Sequence, residues 1–322
     1  MEHQNKIARM INNIEHLIVG KREAIEDTLI TLLAGGHLLL EDVPGVGKTT
    51  LAKALAQTID CGFTRIQFTP DTLPSDVTGL SIYNMQAGTF EYSKGAIMTN
   101  IVLADEINRT SPKTQASLLE AMEEKQVTVD SITYPLPKPF MVIATQNPVD
   151  YLGTYNLPEA QLDRFMIKIS IGYPSASDEQ KMADKFINGQ FTGKLEAVVD
   201  MDTIVKMQNE VTEVKVNRDL ISYITKFIQE TRRDSNISLG ASPRATLALI
   251  RAAQSKAYLQ GRSYCIPDDI LKLAVPVIAH RLILSPEARL AQTKVEKVIK
   301  DILSKIPVPV LNASVNEARS PE

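Results

Sequence analysis

The chain is poor in several things at once, and each shortage removes a class of protein. Among 322 residues there are only two cysteines, Cys61 and Cys265, too few and too far apart for a disulfide framework or a metal-binding spacing. They read as two inert thiols in a reducing compartment. No apolar run approaches the ~18 residues of a membrane-spanning helix. The opening "MEHQNKIARMINNIEHLIVG" mixes acidic and amide residues and lacks the basic region, apolar core and small-residue cleavage site of a signal peptide. A cytoplasmic protein is expected. Basic residues form no dense cluster, and 35 of them against 38 acidic residues leave a net charge of -3. That balance argues against strong electrostatic binding to a nucleic-acid backbone and favours proteins or small molecules as partners, although a symmetric assembly could still build a local basic pore.

What is present is the composition of a globular protein, 44% hydrophobic and 23% charged, long enough for about two domains. The first half alternates apolar strands with amphipathic helices, an α/β pattern around a mainly parallel sheet. Strands are expected at residues 37–41, 64–68, 100–104, 140–145 and 166–171; the third and fourth are almost wholly apolar, as strands covered on both faces should be. Between the second and third lies a segment rich in Gly, Ser, Asn and Thr that suggests an inserted hairpin. "QVTVDSITYPL" suggests another, with Val127 and Val129 answering Ile132 and Tyr134 across Asp130 and Ser131, though the turn lacks the favoured glycine. After "IGYPSASDEQ" the strand signal stops. Helical patterns at 176–188, 201–213, 217–234, 242–259, 267–280 and 294–305 imply an all-helical second domain. The expected division is thus 1–173, 174–306 and a disordered tail, 307–322.

Chemistry concentrates in a few stretches. "LLLEDVPGVGKTTLAKAL" is a strand, a loop and a helix start, so backbone NH groups of the loop and the helix terminus can converge on anionic oxygens. Lys48 can then reach β and γ phosphates, and the Thr49 hydroxyl can ligate magnesium. Asp42 stands where the first glycine of such a loop belongs, and a carboxylate there must turn away from the ligand or repel it. Asp42→Gly is therefore expected to preserve or slightly tighten nucleotide binding. "NIVLADEINR" delivers Asp105 and Glu106 to a strand's carboxyl end, where doubly wound sheets bind ligands. Asp105 suits magnesium and Glu106 suits polarising an attacking water, although a helix cap or surface acid pair has the same local wording. Asn147 ends another apolar strand and can orient a water, but Asn-Pro is also an ordinary turn dipeptide. In "LGASPRATLALIRAA", Ser242 reads as an N-cap with Pro243 in the first helical position, which puts Arg244 in the first turn, where a cation opposes the helix dipole unless an anion is nearby. Asp163-Arg164 taken alone is a surface charge pair.

In this order, "LLAGGHLLLEDVPGVGKTTLAKALA", "NIVLADEINRTSPKTQASLLEAMEEKQVTV", "PFMVIATQNPVDYLGTYNLPEAQLDRF" and "LGASPRATLALIRAA" resemble the AAA+ ATPases, and their wording resembles the MoxR family over roughly residues 5–307. The resemblance implies a P-loop αβα sandwich with a five-stranded parallel sheet and a helical lid, binding ATP with magnesium. It implies a phosphate cradle on Pro44, Gly45, Val46, Gly47, Lys48, Thr49 and Thr50, and Walker B acids at Asp105 and Glu106. Sensor 1 would be Asn147, sensor 2 Arg244, and the finger completing the next subunit's site Arg164. "HLIVGKREAI" resembles the segment that packs on adenine, which puts Ile18, Val19 and Gly20 against the base. The resemblance further implies a ring, typically a hexamer, whose hairpins face the pore or a client. The implied activity is chaperone-like remodelling or activation of other protein complexes, metal-cofactor insertion among them. A von Willebrand factor A domain partner is also implied, here as a separate chain. A nucleic-acid motor of the related helicase branch, a magnesium-chelatase-like motor subunit and a platform on which nucleotide merely holds a ring together are the alternatives.

Overall fold

Strand formation follows apolar runs in the first part of the chain, and the runs pair in a non-sequential order. In the computed structural model, which describes residues 2–147, 155, 157–189 and 194–310, the strands are β1 (Leu38–Glu41), β2 (Phe63–Gln67), β3 (Gly79–Asn84), β4 (Thr89–Lys94), β5 (Ile101–Asp105), β6 (Gln126–Val129), β7 (Ile132–Pro135), β8 (Met141–Gln146) and β9 (Ile167–Ile169). Five of them form one sheet in the order β2-β5-β8-β1-β9, every neighbouring pair parallel. All five expected strands are present, each within two residues of its expected ends. Every residue of β5 is buried, as are five of the six in β8, because helices cover both faces of the sheet's centre. Edge strand β2 instead alternates, with Ile66 inward and Arg65 and Gln67 outward.

The order matters because β5, β8 and β1 are consecutive. Their carboxyl ends emerge side by side, so the loop after β1, the acids ending β5 and the amide after β8 meet on one rim. Both hairpins are there too. β3 pairs antiparallel with β4, and β6 with β7 in the expected register, Val127 opposite Tyr134 and Val129 opposite Ile132. The second turn manages without glycine because Asp130 (φ 49°) and Ser131 (φ 66°) both take left-handed backbone, the two-residue geometry that matches strand twist. The hairpins are joined by Tyr92 of β4 stacked on Tyr134 of β7, ring centroids 4.0 Å apart and 18° from parallel. The Tyr92 hydroxyl is fixed by donating to the Thr78 carbonyl at 2.5 Å.

The chain divides by its contacts between Thr212 and Glu213, later than the end of the strand signal near Tyr173 suggests. The described residues that follow Tyr173 include helices Ala176–Ile187 and Met201–Glu213 and are tied to the first unit: Lys185 Nζ donates to the His16 carbonyl at 2.9 Å, Val198 N to Thr58 at 2.9 Å and Gln208 Nε2 to Leu32 at 2.7 Å. The second unit holds helices Arg218–Thr231, Pro243–Leu259, Pro267–Ile278, Pro286–Leu290 and Val295–Ser304 around a core that includes Phe227, Leu249, Leu273 and Ile299. One departure from an all-helical unit is a small antiparallel pair, β10 (Ile237–Leu239) and β11 (Ile283–Leu284). Most of the expected tail, residues 311–322, lies outside the described residues. Among the described residues, no helix is long and apolar enough to cross a membrane. Both cysteines are free, and burial pushes each thiol up to about 12.

At the amino end of the sheet, buried His37 ties three elements together. Its Nδ1 accepts from Val142 N at 3.0 Å, so Nε2 carries the proton and donates to the Met122 carbonyl at 3.1 Å; Phe140 meets the ring edge-on. Burial lowers its pKa from 6.5 to about 4, since an imidazolium there would be desolvated and could not accept from Val142. The neutral ring's contribution is full above the unfolded value and is lost as pH falls from about 6.5 toward 4, worth about 3 kcal/mol over the whole window. Thermal melting from pH 7.5 to 4.5 should show this decline, and His37→Gln should be less stable at pH 7.5 but flatter across the range.

Candidate nucleotide site

The loop after β1 is shaped by two glycines in left-handed backbone, Gly45 (φ 86°) and Gly47 (φ 96°). Helix Lys48–Ile59 starts immediately afterwards with no side-chain cap and no acid in its first turn. Its first NH groups are therefore left for an outside acceptor, and the helix dipole favours an anion. Lys48 Nζ donates to the Asp42 carbonyl at 2.9 Å, which draws the side chain back along the loop. Val46 lies between the two glycines, half-buried.

Asp42 itself is buried and turned away, as like-charge repulsion requires. Its carboxylate accepts from Ser170 Oγ at 2.7 Å, from Gly172 N at 3.2 Å and from Ile171 N. The residue in place of the first glycine thus organises the turn after β9. That duty is structural, and it stands beside the expectation that glycine there preserves nucleotide binding.

The acid pair is held from three directions. Thr145, buried at the end of β8, donates to Asp105 Oδ1 at 2.6 Å and accepts from Glu106 N at 2.9 Å. Arg65 reaches across from β2 to Asp105 Oδ2 with Nη2 at 2.6 Å and Nε at 3.0 Å, and its Nη2 also donates to Gln67 Oε1 at 2.7 Å. Gln67 Nε2 in turn donates to Glu106 Oε2 at 2.8 Å, with Arg109 Nε 3.4 Å from the same oxygen. Glu106 adopts left-handed backbone, φ 57° and ψ 50°, a conformation that costs a side-chain-bearing residue about 1–2 kcal/mol. That strain aims its carboxylate over the rim.

These groups enclose a cleft of about 370 Å³. Pro44, Gly45, Gly47, Lys48, Thr49 and Thr50 line one side, Asp105, Glu106 and Asn147 the other. Asn147, buried, follows directly on β8. Arg65 and Gln67 complete the wall and were missed by reading the sequence. Their signal was there: "TRIQF" is an edge strand with polar residues two apart, which puts both on one face.

The proposed base-contacting residues lie close by. A Cβ placed on Gly47 would be 3.6 Å from Ile18 Cδ1, and Ile18 and Val19 are both buried. Gly20 (φ 73°) cannot be replaced without strain, and a Cβ there would come within 2.2 Å of Asp178 Oδ2. Arg164 is not among the cleft residues; its Nε pairs with Glu123 Oε2 of the same chain at 2.9 Å, beside the buried Phe165. Arg244 belongs to the second unit. It lies in the first turn of helix Pro243–Leu259, as expected, with Ser242 Oγ accepting from Ala245 N at 3.4 Å, and it is exposed.

Comparison with known proteins agrees with this geometry. Residues 37–167 match the family model "ATPase family associated with various cellular activities (AAA)", and residues 229–302 match an AAA lid domain. The chain is 50% identical to the uncharacterized protein YeaC of Bacillus subtilis, covering 96% of this chain and 97% of that one. It is 37% identical to chaperone MoxR1 of Mycobacterium tuberculosis, over 98% of this chain and 85% of that protein, and 30% identical to protein MoxR of Methylorubrum extorquens, over 94% and 95%. The crystal structure of a candidate ATPase from Cytophaga hutchinsonii superposes with a TM-score of 0.89 at 41% identity, covering 96% of each chain.

Two outcomes follow from the local geometry. Asp42→Ala should lower unfolding stability by about 1–3 kcal/mol, because three donors around residues 170–172 lose their acceptor. At position 106, where glycine has no Cβ penalty, Glu106→Gly should be about 1 kcal/mol more stable than Glu106→Ala, as read by chemical denaturation.

Proposed function

Since the chain belongs to the MoxR family of AAA ATPases, we propose that ATP hydrolysis in the cleft after β1 drives chaperone-like remodelling or activation of partner protein complexes, metal-cofactor insertion included. The observation that carries the reading is the facing of Lys48 and Thr49 by Asp105, Glu106 and Asn147 within one cleft at the carboxyl ends of three adjacent strands. The Thr49 hydroxyl and Asp105 carboxylate are hard oxygen donors. Together with phosphate oxygens they match the preference of magnesium, which takes one or two protein ligands and leaves the rest to substrate and water. Bound there, the ion would offset charge on the β and γ phosphates.

The chain's own residues do the rest. Backbone NH groups of Gly45 to Thr50 and the Lys48 ammonium hold the triphosphate, while Ile18, Val19 and Gly20 bound the base. Glu106 orients the attacking water and accepts its proton, and the Asn147 amide donates to and accepts from that water at a fixed angle. Arg244 would reach the γ phosphate of its own subunit. Arg164 would leave Glu123 to stabilise developing charge at a neighbour's site, so that hydrolysis depends on assembly into a ring, a hexamer by family likeness. The β3–β4 hairpin supports a client-contacting role: the cross-strand pair Tyr83 and Phe90, Ile82 on the opposite face and Met85 in the turn are all more than half exposed, and apolar side chains held in water are available for a protein partner. A protein with a von Willebrand factor A domain is the proposed partner.

Phosphate release from the purified protein tests the core of this. Lys48→Ala should abolish both binding and turnover, whereas Glu106→Gln should retain ATP and hydrolyse it slower by orders of magnitude. Equal rates for all three proteins would overturn the reading.

A further inference from the structure

We propose that Arg65 is a metal-displaced latch: its guanidinium holds the Asp105 carboxylate oxygen that a nucleotide-bound magnesium ion needs, so arginine and metal compete for one site. This rests on the reading of Asp105 as a metal ligand. Both oxygens of Asp105 are engaged, Oδ1 by Thr145 and Oδ2 by Arg65, and the carboxylate side chain is only 11% exposed. A metal approaching this carboxylate meets a partner on either oxygen, and on Oδ2 that partner is itself a cation.

The two partners are not equally replaceable. Thr145 is fully buried and pinned by Glu106 N, so withdrawing it would strand buried polar groups. Arg65 stands on an edge strand with 47% of its side chain exposed, and its head can move into solvent, or along the cleft it lines, at small cost. A guanidinium and a divalent cation cannot share Oδ2 without like-charge repulsion. Arrival of the metal therefore expels the arginine. The displacement reaches further, because the same Nη2 holds Gln67 Oε1 and Gln67 holds Glu106. Metal uptake at Asp105 thereby loosens the amide that restrains the proposed base. Metal alone must break the latch unaided, whereas metal delivered with a triphosphate brings extra ligands, so the latch discriminates against cation without nucleotide.

The test is Mn²⁺ binding followed by electron paramagnetic resonance in the presence of a non-hydrolysable ATP analogue, with folding checked by thermal melting. Arg65→Gln should lower the half-saturating Mn²⁺ concentration about two- to fivefold, the range expected for loss of one partly exposed charge pair. Arg65→Lys, which keeps the charge and loses the two-donor fork, should shift it less in the same direction, and carries the test alone if the glutamine variant does not fold. An unchanged or raised Mn²⁺ requirement in the Arg65 variants, with Asp105→Asn binding Mn²⁺ more weakly than the unaltered protein, overturns the latch. Asp105→Asn with undiminished Mn²⁺ binding overturns the metal-ligand reading itself.

Discussion

One buried hydroxyl sets the geometry of this site. Thr145 gives its proton to Asp105 and its lone pair to the amide of Glu106, and in doing so locks β8 to the end of β5 where that strand must stop. Without it, the left-handed kink at Glu106 would have little to hold it against the steric preference of an ordinary side chain. The kink is what separates two consecutive acids that line the same cleft, Asp105 held by Thr145 and Arg65 and Glu106 by Gln67 and Arg109.

Around that hydroxyl the charges are arranged so that each carboxylate has company before any ligand arrives. Asp105 is balanced by Arg65, Glu106 by Gln67 and Arg109, and Asp42 by two backbone amides and a serine. Three acids can thus stand near a loop shaped for a polyanion. The loop's own attraction comes from backbone dipoles and Lys48, and remains directed at the cleft.

Much of this was legible in residue order. Apolar runs located the five strands, the glycines and lysine after "HLLLE" located a loop that lines the cleft, and alternation set the register of "QVTVDSITYPL" because a one-residue slip would exchange its two faces. Contacts across the sheet were not. That Arg65 meets Asp105 depends on β2 lying beside β5, forty residues later in the chain, and strand order is not written in any local pattern. For the same reason the sequence showed that the Asp42 carboxylate must avoid phosphate but not that the turn at residues 170–172 would receive it. The end of strand signal near Tyr173 marks a change of secondary structure, whereas the contacts divide the chain after Thr212, where packing changes. The helices from 176 to 212 pack on the first unit.

The stacked pair Tyr92 and Tyr134 gives the fold a mechanical property. One hairpin grows from the polypeptide that leaves β2, the other from the polypeptide that enters β8, and the rings pin them together at the edge of the core. Two arms rooted in different strands and fastened at a third point form a closed linkage rather than two free levers. A push on either arm is shared by both roots, one running to the strand that carries Arg65 and Gln67 and the other to the strand that carries Thr145 and leads into Asn147. Force applied at the hairpins and charge rearranged at the acids are thus two loads on the same frame.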